Sequence, residues 1–340
     1  MSQVSYDKSL IIAEIGLSHE GSLGFALRFI ESAKACGADV VKFQTHFPEY
    51  ESSSDETFRI ALTVQDKTRW DYWHRTSFSI EEWKVLIRHA NNIGVGFCTS
   101  VFSSHAVEVM IDNGVKMLKL GSGDLTNLEL AESLEGWGGE LIVSTGLSTY
   151  AEIDSAINRY SSFKKDGRLS VLQCTSKYPT PMNQVGLNNM IKFREQYGVK
   201  VGLSDHSVGI NASVAAITLG ANVIEKHVTF SNRMFGPDVS ASITFEELLA
   251  LTKYRDDLVT ILTPSNKDEL ASSLHNERLL FGRSLGIKAD FNVGQHLTLN
   301  DFCLRKPAGG LSWNHRQSLL GKRAKRPIAR GEIIAETDFE

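Results

Sequence analysis

This chain is short of several things, and each shortage removes a class of protein. Four cysteines stand among 340 residues, at positions 36, 98, 174 and 303, and no two of them form a CxxC pair. Such scattered cysteines read as reduced thiols, and a cytoplasmic protein is expected. The polar first nine residues lack the apolar core of a secretion signal. No apolar run approaches the ~20 residues of a membrane span. Neither sign of charge is in large excess, with 36 Lys and Arg against 40 Asp and Glu, a net charge of −4, so no general nucleic-acid surface is indicated. No G-x-G-x-x-G follows the first strand-like run, which makes a doubly wound open sheet the second choice of fold.

What the chain does have is alternation. Buried-type strands are expected at 10–15, 40–44, 96–100, 117–120, 141–144, 169–174, 200–204 and 223–227. Stretches of helical spacing separate them, and the last, at 245–262, closes the set. Eight strand–helix units in about 260 residues is the size of a (β/α)₈ TIM barrel, and residues 1–262 are assigned to it. One connection, from His46 to Ser79, is unusually long. It holds an acidic serine run at 51–56 and an aromatic cluster of Trp70, Tyr72 and Trp73. A connection of that length is a functional loop or a disordered one, and its rings are expected to pack on the barrel rather than touch substrate. Residues 263–282 read as a polar linker. A small module at 283–340 carries ten Lys or Arg against six Asp or Glu and a weak repeat, residues 294–302 matching 331–339. A compact, pseudo-symmetric, strand-poor domain is expected there, too small to bury much core alone.

In such a barrel the active site is built from the C-terminal ends of the strands. Those ends carry Glu14; Lys42 and Gln44; Thr99 and Ser100; Lys119, Ser122 and Asp124; Ser144 and Thr145; Thr175 and Ser176; Asp205 and His206; Glu225 and His227. Capping explains a few polar residues there, but not lysines, hydroxyls, carboxylates and histidines together. Lys42, Lys119, Ser122, Ser144 and Ser176 suit a phosphate or carboxylate anion. Gly121, Gly123 and Gly146 would let backbone N–H groups approach the same anion, although each alone reads as a turn. His206 and His227 end consecutive strands at matched positions, so two imidazoles would meet at the mouth and suit a borderline divalent metal. Taken singly, each is a satisfied polar residue. Glu14 stands alone in an apolar strand, either as a general acid or base with its pKa raised by burial or as the salt-bridge partner of a barrel lysine. Together these groups suit condensation of an anionic nucleophile with an aldehyde.

Several motifs then carry a family resemblance over essentially the whole chain. Ile12-Ala13-Glu14-Ile15-Gly16, Val41-Lys42-Phe43-Gln44-Thr45 and Lys119-Leu120-Gly121-Ser122-Gly123-Asp124 resemble the N-acetylneuraminate (sialic acid) synthase family. So do Ser144-Thr145-Gly146, residues 173–179, 202–206 and 224–227, and Gly236-Pro237-Asp238. The terminal module resembles that family's antifreeze-like (SAF) domain of β-clip type. The resemblance implies condensation of phosphoenolpyruvate with an open-chain 2-acetamido sugar, most often N-acetylmannosamine, to give N-acetylneuraminate and phosphate. It also implies a cytoplasmic, domain-swapped homodimer. His206 and His227 would bind a divalent metal, usually Mn²⁺, with Mg²⁺ or Co²⁺ as alternatives. Lys42, Lys119, Ser122, Ser144, Ser176 and Ser204 would hold phosphoenolpyruvate, with Ser100 and Asp124 also in the substrate site. Glu14 would handle protons or position water, and Gln44, Tyr178 and Asp238 would contact the sugar. Alternatives within the class are a legionaminic or pseudaminic acid synthase, or a surface-polysaccharide synthase with another acceptor; a non-catalytic sugar-binding protein is the reading of a different class. The chain departs from the family at Ser18-His19, at Val101 and at Arg305-Lys306-Pro307. At the last of these the family's sugar-reaching arginine has no aligned counterpart, and Arg305 or Lys306 would take its place.

Overall fold

A computed structural model describes residues 8–58 and 65–340. They form two compact units that divide between Leu262 and Thr263. The first is a closed parallel barrel. Its strands are β1 (Leu10–Gly16), β2 (Val40–Thr45), β3 (Gly96–Val101), β4 (Met117–Leu120), β5 (Glu140–Ser144), β6 (Leu169–Cys174), β7 (Lys200–Asp205) and β8 (Val223–Thr229). They pair in sequence order, and β1 closes the ring against β8. A two-residue strand, Ile243–Thr244, adds to the end of β8. The TIM-barrel expectation is met, with strand ends moved by one or two residues. Among the described residues no helix is long and apolar enough to cross a membrane.

The period of two along each strand explains where the site lies. Ile12, Val40, Cys98, Ile142, Leu172 and Val223 point inward and fill the lower barrel as one apolar layer. Two residues on, the inward positions become Glu14, Lys42, Ser100, Ser144, Cys174 and Glu225. The close-packed apolar layer therefore stops one layer below the mouth, and most inward strand positions above it are polar. The outward positions pack on the helices in a single large core that includes Ile11, Ala13, Val41, Leu118, Val143, Val171, Leu203 and Ile224. Helices start on local signals. Ser79, Thr149 and Thr244 each form a capping box with the glutamate three residues on.

The long connection after β2 is ordered where it is described, and not as one loop. It folds into two short helices, Pro48–Glu51 and Arg69–Thr76. Between β5 and β6 the helical stretch breaks at Tyr160 into Tyr150–Arg159 and Ser161–Lys165.

The second unit begins with two short helices, Lys267–Ser273 and His275–Phe281. Ser284–Ile287 then pairs antiparallel with Phe302–Arg305. Leu285, Ile287, Phe291, Leu297, Phe302, Leu319, Ile328, Ile334 and Phe339 make its small core. The sequence repeat is a pseudo-twofold in three dimensions. Phe291 and Ile328 exchange backbone hydrogen bonds of 2.8 and 2.9 Å; Gly294 N donates to Ala324 O and Gly331 N to Ile287 O, both at 2.7 Å. In each half an aspartate accepts from the backbone N–H three residues before it, Asp301 from Thr298 at 2.7 Å and Asp338 from Ala335 at 2.8 Å.

Candidate active site

The barrel opens at the C-terminal ends of its strands into a cavity of about 450 Å³. At its floor lie Glu14, Lys42, Lys119 and Glu225, none more than 4% exposed. Lys42 Nζ lies 2.8 Å from Glu14 Oε2 and 3.8 Å from Glu225 Oε2, and donates to Ser100 Oγ at 2.8 Å. Lys119 Nζ donates to Glu225 Oε1 at 3.0 Å, and Ser204 Oγ donates to the same oxygen at 2.9 Å. Gln44 Nε2 donates to Glu14 Oε1 at 3.0 Å.

The two carboxylates experience opposite fields. Burial raises the pKa of Glu14 to about 7, Lys42 opposing and Glu225 adding to the rise. Burial also acts to raise Glu225, but Lys119 and Lys42 outweigh it and hold this carboxyl far below the usual range. Burial acts to lower the Lys42 ammonium, and Glu14 and Glu225 more than offset it. Glu225 is therefore a fixed anion among lysines, whereas Glu14 can hold or release a proton near neutral pH. A pair of carboxyls driven apart in this way is the usual sign of divided acid and base roles.

Beside this floor is a rim of small donors. Gly146 N donates to Ser122 Oγ at 2.9 Å. A side chain at Gly146 would begin 2.5 Å from Ser176 Oγ and 2.9 Å from Cys174 Sγ and Ser122 Oγ, so only glycine lets the backbone approach these groups. Ser144 Oγ is buried without a hydrogen-bond partner. Unfilled donors next to two lysines form an anion cradle.

Above the floor stand the histidines. Glu14 and His227 are register partners on β1 and β8, and His206 follows β7. The imidazole centroids are 5.4 Å apart, with Tyr178 packed 4.1 Å from His206. Burial lowers His206 to about 4, Glu225 opposing, and lowers His227 well below its usual value, with help from His206 and Lys42. Both are neutral near pH 7 and keep a lone pair. His206 Nδ1 faces Thr175 O at 3.3 Å and Cys174 Sγ at 3.7 Å, which leaves Nε2 for a ligand. His227 Nδ1 is buried without a hydrogen-bond partner, 3.7 Å from Asp238 Oδ2. A carboxylate behind an imidazole is the arrangement that orients a metal-binding histidine. Among the described residues no group of three or more His, Cys, Asp or Glu forms a metal cluster. The two neutral imidazoles could together hold a divalent cation.

Fourteen of the barrel residues expected at the site line this one cavity, Glu14, Lys42, Gln44, Ser100, Lys119, Ser122, Asp124, Ser144, Ser176, Tyr178, Ser204, His206, His227 and Asp238, whereas the strand-end residues Thr99, Thr145, Thr175 and Asp205 do not. Arg305 and Lys306 belong to the second unit, where both are exposed. Glu225 was given no role by sequence reasoning. Its signal was there, two positions before His227 on the same strand and so on the same face. Two of the three rings of the aromatic cluster pack as expected. Tyr72 and Trp73 pack with Leu17, yet they also line the cavity with His46 and Phe102.

A family described as the NeuB family matches residues 29–267. This chain belongs to the NeuB family. The N,N'-diacetyllegionaminic acid synthase of Campylobacter jejuni subsp. jejuni serotype O:2 is 32% identical over 333 residues, 97% of this chain and 99% of that one. The N-acetylneuraminate-9-phosphate synthase of Mus musculus is 32% identical over 337 residues, covering 97% and 92%. Among solved structures, an N-acetylneuraminic acid synthetase from Leptospira borgpetersenii serovar Hardjo-bovis in complex with citrate superposes with a TM-score of 0.69 at 26% identity, covering 81% of this chain and 96% of that one. Both of these sequence relatives are named as synthases, and this member of the family is a condensing enzyme.

Proposed function

We propose that this NeuB-family enzyme condenses phosphoenolpyruvate with the aldehyde of an open-chain 2-acetamido sugar, adding water and releasing phosphate to form a nonulosonic acid. The observation that carries the reading is one cavity that joins an anion cradle, two neutral imidazoles and a carboxyl poised near neutrality. N-acetylmannosamine is the parent acceptor, giving N-acetylneuraminate. A 2,4-diacetamido acceptor for legionaminic or pseudaminic acid is the second reading, favoured by the name of the 32% identical Campylobacter relative.

Lys42, Lys119, Ser122, Ser144, Ser176 and Ser204 bind the phosphate and carboxylate of phosphoenolpyruvate, and Ser100 steadies the Lys42 ammonium. His206 and His227 would hold a divalent cation, Mn²⁺ foremost, which would supply Lewis-acid polarisation of an aldehyde. Gln44, Asp124, Tyr178 and Asp238 orient the sugar so that its carbonyl carbon meets C3 of phosphoenolpyruvate. Carbon–carbon bond formation leaves an oxocarbenium at C2. Glu14 takes a proton from the water that adds there, and the alkoxide formed from the aldehyde gains one. The new C2 hydroxyl then loses its proton and becomes the ketone as the C–O bond to phosphate breaks and phosphate departs. The floor groups are buried and already ion-paired, so their charges are in place before charge develops on the substrate. On the same reading the second unit is an antifreeze-like (SAF) module of a domain-swapped homodimer, and its Arg305 or Lys306 reaches an acceptor.

The test is acceptor-dependent phosphate release from phosphoenolpyruvate with Mn²⁺. Release is expected from the wild type and is lost in His206→Ala. No release with any 2-acetamido acceptor would favour a sugar-binding protein instead.

A further inference from the structure

The chemistry above leaves His46 without a task. Lys42 and Gln44 point into the barrel mouth, and the same period of two brings His46, the first residue after β2, to that face. It is 4% exposed, and its ring lies between two others, Trp73 at 4.1 Å and 7° and Phe102 at 4.4 Å and 5°. Its Nδ1 is hydrogen-bonded to Glu51 Oε1, and Glu51 does not line the cavity. With both faces and the Nδ1 edge covered, the edge that His46 presents to the cavity is the one carrying Nε2. That nitrogen is buried and has no hydrogen-bond partner among the described residues.

Glu51 settles what Nε2 can do. A carboxylate only accepts, so Nδ1 carries the ring proton and donates it, and Nε2 keeps its lone pair. Glu51 is itself held, its side chain 5% exposed and its Oε2 accepting from Phe47 N at 3.3 Å. His46 O accepts from Ser77 Oγ at 3.1 Å, which anchors the residue through its backbone. The neighbouring aromatic donors are spent elsewhere. Trp73 Nε1 donates to Glu56 Oε2 at 3.4 Å, and Tyr72 Oη donates to Glu20 Oε1 at 3.0 Å. A buried acceptor left unmatched costs free energy that a bound donor recovers.

We propose that His46 is a specificity-determining residue, its Nε2 accepting a hydrogen bond from one O–H or N–H of the acceptor. The proposal rests on the reading that a 2-acetamido sugar enters this cavity. It holds for either acceptor named above, since hydroxyls and amide N–H groups both donate. An analogue without that donor leaves Nε2 unpaired and binds less well. Removing a donor elsewhere on the sugar does not involve His46.

The experiment measures kcat and KM of the full chain by phosphate release at saturating phosphoenolpyruvate and Mn²⁺. The acceptors are N-acetylmannosamine and a 2,4-diacetamido-2,4,6-trideoxy hexose. Each is set beside analogues in which one O–H is replaced by H or one amide N–H by N-methyl. In the wild type, loss of the donor that meets Nε2 should cost about 10- to 100-fold in kcat/KM, mostly through KM. In His46→Phe, which keeps a ring in the stack and lacks the nitrogen, the parent sugar should fall to the level of that analogue, so that the two become nearly equal. If that variant does not fold, His46→Phe combined with Glu51→Met leaves no carboxylate stranded and should show the same collapse. A merely structural defect would lower the parent and every analogue alike and keep their ratios. Ratios unchanged for all analogues would overturn the role of His46 while leaving the synthase reading in place. No turnover of any acceptor by the wild type would remove both.

Discussion

At the scale of single residues, Glu14 and Glu225 show how position on a strand sets chemistry. They are the same residue type in the same layer, each with a lysine within 3.0 Å. Glu225 faces two lysines and a serine hydroxyl, so it stays ionised. Glu14 has one lysine, a neighbouring carboxylate and full burial, so its pKa rises to about 7. A base works in its ionised form, whose fraction grows as pH climbs through that value. The kcat/KM profile should therefore rise with pH across about 7. Glu14→Gln should flatten that limb and slow turnover by ~10²-fold or more. A limb that persists unchanged in the variant would mean another group carries the proton.

At the scale of elements, the outward faces of β7 and β8 hold the histidines in register. Lys226, fully buried, donates to Ser207 O and lies 3.3 Å from Asp205 Oδ2. Asp205 in turn accepts from Ser207 N at 2.8 Å and Ser213 Oγ at 2.6 Å. His206 and His227 sit next to these partners in sequence, so a pair behind the sheet fixes two side chains in front of it. Breaking a buried pair from one side strands a charge and typically costs ~3–5 kcal/mol. Lys226→Met should lose about that much in urea unfolding, and Asp205→Asn with Lys226→Met should regain part of it. A single variant within 1 kcal/mol of wild type, on the order of a neutral surface change, would show that the pair does not hold this edge.

For the whole molecule, ligand binding and stability are linked through the barrel mouth. Its floor concentrates four ionisable groups where apolar packing has ended, and any cation held by His206 and His227 binds only the folded barrel. At 100 times its Kd such a ligand adds about 2.7 kcal/mol. Chelator treatment should therefore lower the melting temperature of the wild type, and Mn²⁺ should restore it. His227→Ala should show neither response. Equal responses in wild type and variant would place metal binding elsewhere.

The sequence alone determined the barrel, because apolar runs alternating with capped helices leave few other ways to bury so much surface. It also determined many of the residues that line the mouth, because the inward positions at strand ends in such a barrel face one mouth. The pseudo-twofold of the second unit was legible for the same reason, as residues 294–302 and 331–339 repeat the same turn and core positions. What the tertiary structure decided was which partner each group meets. That Glu225 is shared by Lys119, Lys42 and Ser204 depends on strands far apart in the chain. That the rings of the long connection line the cavity depends on Arg75 reaching both Glu20 and Asp66. Local pattern sets which way a side chain points, but only barrel closure and long-range ion pairs set what it faces.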